Sequence, residues 1–262
     1  MVVFVISVFT ATILCGALLY ALRGGVTAGG PVSFSGFNGI GVVFVFVAFV
    51  FAAALLGTTF GISLLVSLFI HELGHVLAYR MLGHKHTRIR LVPMMKDTDI
   101  SDTRPVSEGE AFFIALMGPG LSLAPMVLAL TLSVAFAQSA PGFAGAMRVF
   151  SVTCGALNFI NLLPIWPLDG GRCARIAAGN FWPALAPGMT VFMCSAMAMA
   201  GLRSGSLALI VFAAIGAHSL LHKSEPLAVR MGPNKALIGL AAYTFTLAAH
   251  FTSGWLLLQI YF

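Results

Sequence analysis

Apolar residues dominate the chain in long runs, and short polar stretches separate these runs. A helix needs about 20 mainly apolar residues to cross a bilayer. Runs of this kind predict about eight transmembrane helices, at roughly 2–22, 40–56, 59–80, 110–138, 147–166, 183–201, 205–222 and 236–260. Only a three-residue turn separates the second run from the third, so the expected range is six to eight. The predicted fold class is an all-α polytopic membrane protein.

The composition leads to the same class. Hydrophobic residues make up 59% of the chain and charged residues 8%, whereas a soluble domain carries about a quarter charged residues. A chain with so few polar groups cannot cover a water-facing surface, which means that the lipid bilayer must solvate it.

The first run has no basic residue before it and Arg23 after it, which is the reverse of the charge order in a signal peptide. With no repeat or linker, we expect residues 1–262 to form a single integral membrane domain.

The basic residues indicate how the chain is oriented. With eight spans, one side of the bilayer receives twelve of the fourteen Lys and Arg residues, and the other receives only Arg148 and Arg203. The positive-inside rule makes the first side cytoplasmic, which places both termini outside a cell membrane. The net charge of +6 is therefore typical of membrane orientation, and we expect no nucleic-acid partner. The basic side consists of the loops 23–38, 81–109, 167–182 and 223–235.

One apolar run contains the motif His71-Glu72-Leu73-Gly74-His75, which matches H-E-x-x-H. On a helix, residues four apart share a face, so both imidazoles can bind one metal ion. Glu72 lies to one side of that face, where it can act on a water molecule rather than ligate. Ionisable groups inside a membrane cost about 3 kcal/mol each. A bound divalent metal would offset that cost, so the motif predicts a zinc site.

A catalytic zinc ion usually has three protein ligands, and a carboxylate is often the third. Most acidic residues lie in the polar stretch after the motif or near a span end. Asp169 differs, because it follows an apolar run and is flanked by Pro167 and Gly170, which fix a defined turn. It also falls on the same predicted side of the bilayer as the histidines.

The four cysteines form no CxxC pair and are expected to be small buried residues.

These motifs resemble the site-2 protease family of intramembrane zinc proteases. The resemblance rests on HELGH at 71–75, NLLPIWPLDGG at 161–171 and the Gly118-Pro119 pair, and it covers a catalytic core of about 59–180. It implies one zinc ion per chain, bound by His71, His75 and Asp169, with Glu72 as general acid and base. The chain looks like a minimal form without a PDZ or CBS domain.

The resemblance also implies that Asn161 contacts the substrate backbone or the developing oxyanion. The alternative is a polar helix residue that bonds a neighbouring helix, and this alternative applies more strongly to Asn158. The family's asparagine after the Gly-Pro pair is not evident, although Ser122 stands nearby. Gly118-Pro119 is expected to break its helix, either to admit water or substrate or to let helices pack closely.

Residues 86–92 alternate basic and apolar side chains, which predicts a short strand on the cytoplasmic side just after the HELGH helix. A transmembrane substrate must be unwound before cleavage, and an edge strand can pair with its extended segment. The family's β-loop occupies this place, so we assign substrate contacts to Ile89 and Leu91. The alternative is a basic loop at lipid headgroups.

The sequence therefore predicts an intramembrane zinc metalloprotease that cleaves single-pass membrane proteins near the cytoplasmic face. One alternative is a membrane zinc transporter or sensor, which would be expected to place ligands along a path across the bilayer and would leave Glu72 without a role. Another is a metal-dependent lipid hydrolase with the same site, for which the strand would be idle.

Overall fold

The computed structural model describes residues 2–28, 32–35, 39–90, 100–221 and 227–261. These residues are mostly helical. They form two short strands, β1 (Val32–Ser35) and β2 (Thr87–Arg90), and nine helices. The helices are α1 (Val2–Thr27), α2 (Gly39–Leu56), α3 (Thr58–Met81), α4 (Glu108–Ala135), α5 (Pro141–Asn161), α6 (Asp169–Gly179), α7 (Leu185–Ser204), α8 (Leu207–Ser219) and α9 (Pro233–Tyr261).

The predicted membrane class is confirmed. Within the described residues, six helices are long and apolar enough to cross a bilayer: α1, α3, α4, α5, α7 and α9. Helices α2 and α8 are apolar but contribute shorter segments, Gly41–Leu56 and Leu209–His218. All eight predicted runs are thus helical, and six of them meet the length of a span. Many of their large apolar side chains, such as Phe9 and Phe192, are exposed, as lipid contact requires.

Two boundaries differ from the prediction. Helix α5 ends at Asn161 rather than near 166, because Pro164 cannot donate a backbone hydrogen bond and the residue before a proline avoids helical geometry. The predicted loop 167–182 contains the eleven-residue helix α6. Only one face of α6 is apolar, so a search for continuous apolar runs does not detect it.

The strand predicted at 86–92 is found at Thr87–Arg90, and Leu91 lies outside the described residues. It pairs in parallel with β1, whose strand was not predicted, in a register that joins Ser33 to Arg88 and Ser35 to Arg90. On its other side, the Arg88 amide donates to the Ile100 carbonyl at 2.8 Å. Parallel pairing joins segments far apart in sequence, so local patterns do not reveal the partner.

The described residues group into two compact units. The first draws on Met1–Arg104, Met117–Phe159 and Ala248–Phe262. In it, α3 contacts α1, α2 and β2. Polar contacts join its other helices: the Ser151 hydroxyl donates to the Met126 carbonyl at 3.0 Å, and His250 Nε2 donates to the Pro119 carbonyl at 2.9 Å. Hydrogen bonds of this kind hold helices together where water is absent.

The second unit draws on Pro105–Leu116 and Ile160–Leu247. Helix α4 begins with a capping box, in which the Glu110 amide donates to the Ser107 hydroxyl and the Ser107 amide to the Glu110 carboxylate. Helices α7 and α8 form a hairpin around Gly205, whose φ of 68° favours glycine. The apolar face of α6 lies in a buried cluster formed by Phe112, Ala115, Leu162, Cys173, Ile176, Ala177, Met231, Ala236 and Tyr243.

Candidate metal and catalytic site

Helix α3 presents the two motif histidines as the sequence predicted. His71 and His75 lie one turn apart and are almost fully buried, at 4% and 3% exposure. Their Nε2 atoms are 3.1 Å apart, and the rings meet edge to face with centroids 4.8 Å apart. Two imidazole nitrogens that converge at this separation can ligate one ion together.

Glycines let α4 pass directly against this pair. A Cβ atom at Gly118 would lie 2.6 Å from the His75 ring, and one at Gly74 would lie 2.1 Å from the Met117 carbonyl oxygen. The expected helix break at Gly118-Pro119 is wrong, because α4 continues from Glu108 to Ala135 with Pro119 inside it. Of the two roles weighed for this pair, the geometry favours close helix packing.

Asn158 of α5 orients the first histidine. Its Oδ1 lies 2.8 Å from His71 Nδ1, and its amide nitrogen donates to the Cys154 carbonyl at 2.9 Å. Because the amide nitrogen is engaged as a donor, Oδ1 accepts the proton of His71 Nδ1, which leaves the Nε2 lone pair for a metal. The sequence predicted a bond to a neighbouring helix for Asn158 but missed that the partner is a motif histidine. No local pattern carries that information.

Glu72 has a partner that the sequence did not suggest. Arg90, the last residue of β2, donates from Nε to Glu72 Oε2 at 2.9 Å and from Nη2 to Glu72 Oε1 at 3.0 Å. Glu72 is 1% exposed, so its carboxylate is removed from water and its negative charge is offset by the guanidinium. A two-bond pairing of this type fixes both position and orientation of a carboxylate.

Asp169 is the first residue of α6 and is also buried, at 8% exposure. The chain reaches it through an irregular turn after α5 that includes a cis peptide bond between Trp166 and Pro167. Two glycines let the first turn of α6 pack directly onto this segment. A Cβ atom at Gly170 would lie 2.0 Å from the Leu162 carbonyl oxygen, and one at Gly171 would lie 2.4 Å from the backbone of Ile165.

The backbone of this turn is satisfied by other helices. The Tyr243 hydroxyl donates to the Leu162 carbonyl at 2.7 Å, and the Thr190 hydroxyl donates to the Pro164 carbonyl at 2.9 Å. Irregular backbone without such partners would cost several kcal/mol per group in an apolar medium. These bonds explain how a non-helical segment is stable among apolar helices and holds Asp169 in one place.

Cys173 lies one turn after Asp169, and its chemistry matches the expected structural role. Burial raises the pKa of the Cys173 thiol, and the nearby Asp169 carboxylate raises it further. A thiol binds a metal as the thiolate, which both effects disfavour. Cys173 belongs to the apolar cluster around α6 and is one of four free cysteines.

His71, His75 and Asp169 form a group of three buried side chains whose ligand atoms all lie within 4.8 Å of one another. Two neutral imidazoles and one carboxylate are a donor set that zinc accepts readily. Burial of three polar groups without a cation would be costly. The residues present therefore fit a metal ion at this position.

The sequence also led us to assign substrate contacts to Asn161, Ile89 and Leu91. Asn161 is the last residue of α5 and is partly buried. Ile89 lies in β2, and its side chain is buried in a cluster with Val76 and Ile100. Leu91 lies outside the described residues.

Two curated proteins are similar to part of the chain. Stage IV sporulation protein FB of Bacillus subtilis is 32% identical over 115 residues, which is 42% of this chain and 37% of the relative. A zinc metalloprotease of Methanocaldococcus jannaschii is 33% identical over 114 residues, which is 44% of this chain and 32% of the relative. The matches thus span about a third of the length of these relatives. Their similarity supports the resemblance to the site-2 protease family that the motifs indicated.

A solved structure titled as a site-2 protease from Methanocaldococcus jannaschii is also similar, with a TM-score of 0.47 and 20% identity. The match covers 71% of this chain and 90% of that one. No family model matches the chain.

Proposed function

We propose that this protein is an intramembrane zinc metalloprotease of the site-2 protease type, which hydrolyses peptide bonds of transmembrane proteins. The observation that carries the proposal is the buried group of His71, His75 and Asp169, whose ligand atoms lie within 4.8 Å of one another. It occurs in a chain with six helices able to span a membrane. Similarity to a curated zinc metalloprotease supports the identity of the metal.

In this proposal, the three residues hold one zinc ion per chain. The ion supplies Lewis acidity, which polarises the scissile carbonyl and makes a water molecule easier to deprotonate. The carboxylate of Glu72 takes the proton of that water and returns it to the leaving amine. Glu72 suits this role because it directly follows His71, lies on the same helix as His75 and is outside the ligand group.

Asn161 is proposed to donate a hydrogen bond to the oxyanion that develops on the scissile carbonyl. Its position at the end of α5, where the helix gives way to the turn leading to Asp169, supports this role. A donor of this kind contributes about 3 kcal/mol to transition-state stabilisation in comparable sites.

The proposed substrate is a single-pass membrane protein that presents an extended segment to the small sheet. A helical substrate hides its carbonyl groups in its own hydrogen bonds, so cleavage requires local unwinding. Strand β2 follows the HELGH helix after a short turn, and Ile89 and Leu91 are proposed to contact the unwound segment there. With eight spans, twelve of the fourteen basic residues fall on the side of 81–109, and this charge distribution supports a cytoplasmic active site with both termini outside.

The test is the variant Glu72→Gln, which preserves shape but cannot accept a proton. Purified Glu72→Gln should keep about one zinc per chain, because Glu72 is not a ligand. Cleavage of a membrane-embedded substrate should fall at least ~10²-fold. Residual activity within about tenfold of wild type would contradict the assignment. Because the variant binds but does not cut, a pull-down with it should recover the uncut substrate.

A further inference from the structure

We propose that Arg90 is a positioning residue for Glu72, which ties the orientation of the catalytic carboxylate to strand β2. This inference rests on the proposed function. It starts from the two hydrogen bonds of 2.9 and 3.0 Å that join Arg90 Nε and Nη2 to the two oxygens of Glu72.

The ion pair is sheltered from water on both sides. The Glu72 side chain is 1% exposed and the Arg90 side chain 19%. A pair between exposed groups contributes little, whereas a buried two-bond pair is strong and geometrically specific. In contrast, Arg88 on the same strand pairs with Asp102 where the two side chains are 36% and 50% exposed. The two arginines of β2 therefore have different roles.

The strand holds Arg90 at a fixed distance from α3. Val76, one turn after Glu72, packs with Ile89 and Ile100 in a buried cluster that joins β2 to the helix. Ser35 of β1 pairs with Arg90 in the parallel ladder. Because α3 and β1 both hold β2 in place, Arg90 can impose one orientation on the Glu72 carboxylate. Arg90 thus limits the rotational freedom that a glutamate side chain would otherwise have.

The consequence for catalysis is specific. A general base acts only when its oxygen meets the attacking water in the right geometry, and a misplacement of about 1 Å can reduce the rate ~10²-fold. Arg90 donates one bond to each Glu72 oxygen, and each oxygen keeps a second lone pair for a water. Loss of Arg90 should therefore lower kcat, and KM and zinc content should change little.

The experiment compares Arg90→Gln, Arg90→Lys and Arg88→Gln for cleavage of one membrane-embedded substrate. Arg90→Gln should lower kcat ~10–100-fold with about one zinc per chain retained. Arg90→Lys keeps the charge but not the planar fork, so it should recover only part of that loss. The ratio of kcat for Arg88→Gln to that for Arg90→Gln should exceed about tenfold, because both remove one charge from β2 but only one contacts Glu72.

A second measurement does not depend on activity. Removal of Arg90 leaves the buried Glu72 carboxylate without its counter-charge, so Arg90→Gln should lower the thermal unfolding midpoint by several degrees. In the Glu72→Gln background, the same change should have a much smaller effect, because no carboxylate remains.

The outcomes separate this inference from the proposed function. A wild-type protein that binds zinc but cleaves nothing would overturn the proposed function. An active wild type in which Arg90→Gln and Arg88→Gln behave alike would overturn the positioning role alone. A rise in KM at unchanged kcat would also overturn it, since Arg90 would then act on substrate binding. Equal thermal effects of Arg90→Gln in both backgrounds would contradict the ion pair itself.

Discussion

Helix α3 and the segment 161–171 both carry residues that we assign to zinc, yet they hold them by different means. In α3 the regular helix places His71 and His75 on one face, and Asn158 orients the first ring from outside. In the segment 161–171 the backbone is irregular, and hydrogen bonds from Tyr243 and Thr190 support it. Periodicity thus positions two ligands, whereas tertiary contacts position the third.

The difference explains what each region tolerates. A regular helix satisfies its own backbone groups, so α3 depends mainly on side-chain packing. A turn among apolar helices needs a hydrogen-bond partner from elsewhere for each carbonyl that the turn itself does not satisfy. We therefore expect substitutions in α3 to change zinc binding or the catalytic rate. Substitutions in 161–171 should also destabilise the fold, except at Asp169, where we expect the effect to be on zinc binding.

The largest expected effect is that of Asp169→Ala, which should lose most of the bound zinc and with it the proteolysis. Two histidines alone do not complete a catalytic zinc site. The control is Asp102→Ala, which removes an exposed carboxylate paired with Arg88 and should retain both zinc and activity. Elemental analysis and a cleavage assay on both purified variants provide the measurement. Tight zinc binding by Asp169→Ala would place the third ligand elsewhere.

The second effect is on folding of the segment 161–171. Gly170→Ala would place a Cβ atom 2.0 Å from the Leu162 carbonyl oxygen, so the first turn of α6 would have to move. Overpacking of this kind costs about 1–3 kcal/mol, and more when backbone must shift. The matched control on the same helix is Gly179→Ala, where a Cβ atom meets no atom within 4 Å. Thermal unfolding in detergent should show a large loss for the first variant, and equal midpoints would refute the close packing.

The third effect concerns the support of His71. Asn158→Ala removes the acceptor at 2.8 Å from His71 Nδ1, and loss of such a partner typically lowers metal affinity ~10–100-fold. Asn158→Asp keeps an acceptor oxygen at the same place and should bind zinc more tightly than Asn158→Ala. Competition with a chelator measures both. Equal affinities of Asn158→Ala and wild type would show that the bond does not orient the ring.

The contrast between the two regions also shows what the sequence could predict. The spacing of His71 and His75 and the apolar runs are local patterns, and the structure contains the helices that they imply. Helix α6 was missed because it is short and only half apolar, and strand β1 because its partner lies about 50 residues away in the chain. The bonds of Asn158 and Arg90 were missed because they depend on tertiary packing, to which no sequence spacing corresponds.

The smallest expected effect is at strand β2, which follows α3 and carries the proposed substrate contact. Ile89→Pro removes a backbone donor from the two-stranded sheet, and proline cannot extend a ladder. We expect cleavage of a full-length membrane substrate to fall by about tenfold, roughly the 1–1.5 kcal/mol attributed to one hydrogen bond. Zinc content should stay at the wild-type level, because His71, His75 and Asp169 lie outside the strand. Ile89→Val is the matched control, since it keeps the backbone donor and an apolar side chain beside Val76. If β2 served only as a basic contact to lipid headgroups, the KM of Ile89→Pro would equal that of Ile89→Val, and any fall in kcat would then come from displacement of Arg90 from Glu72.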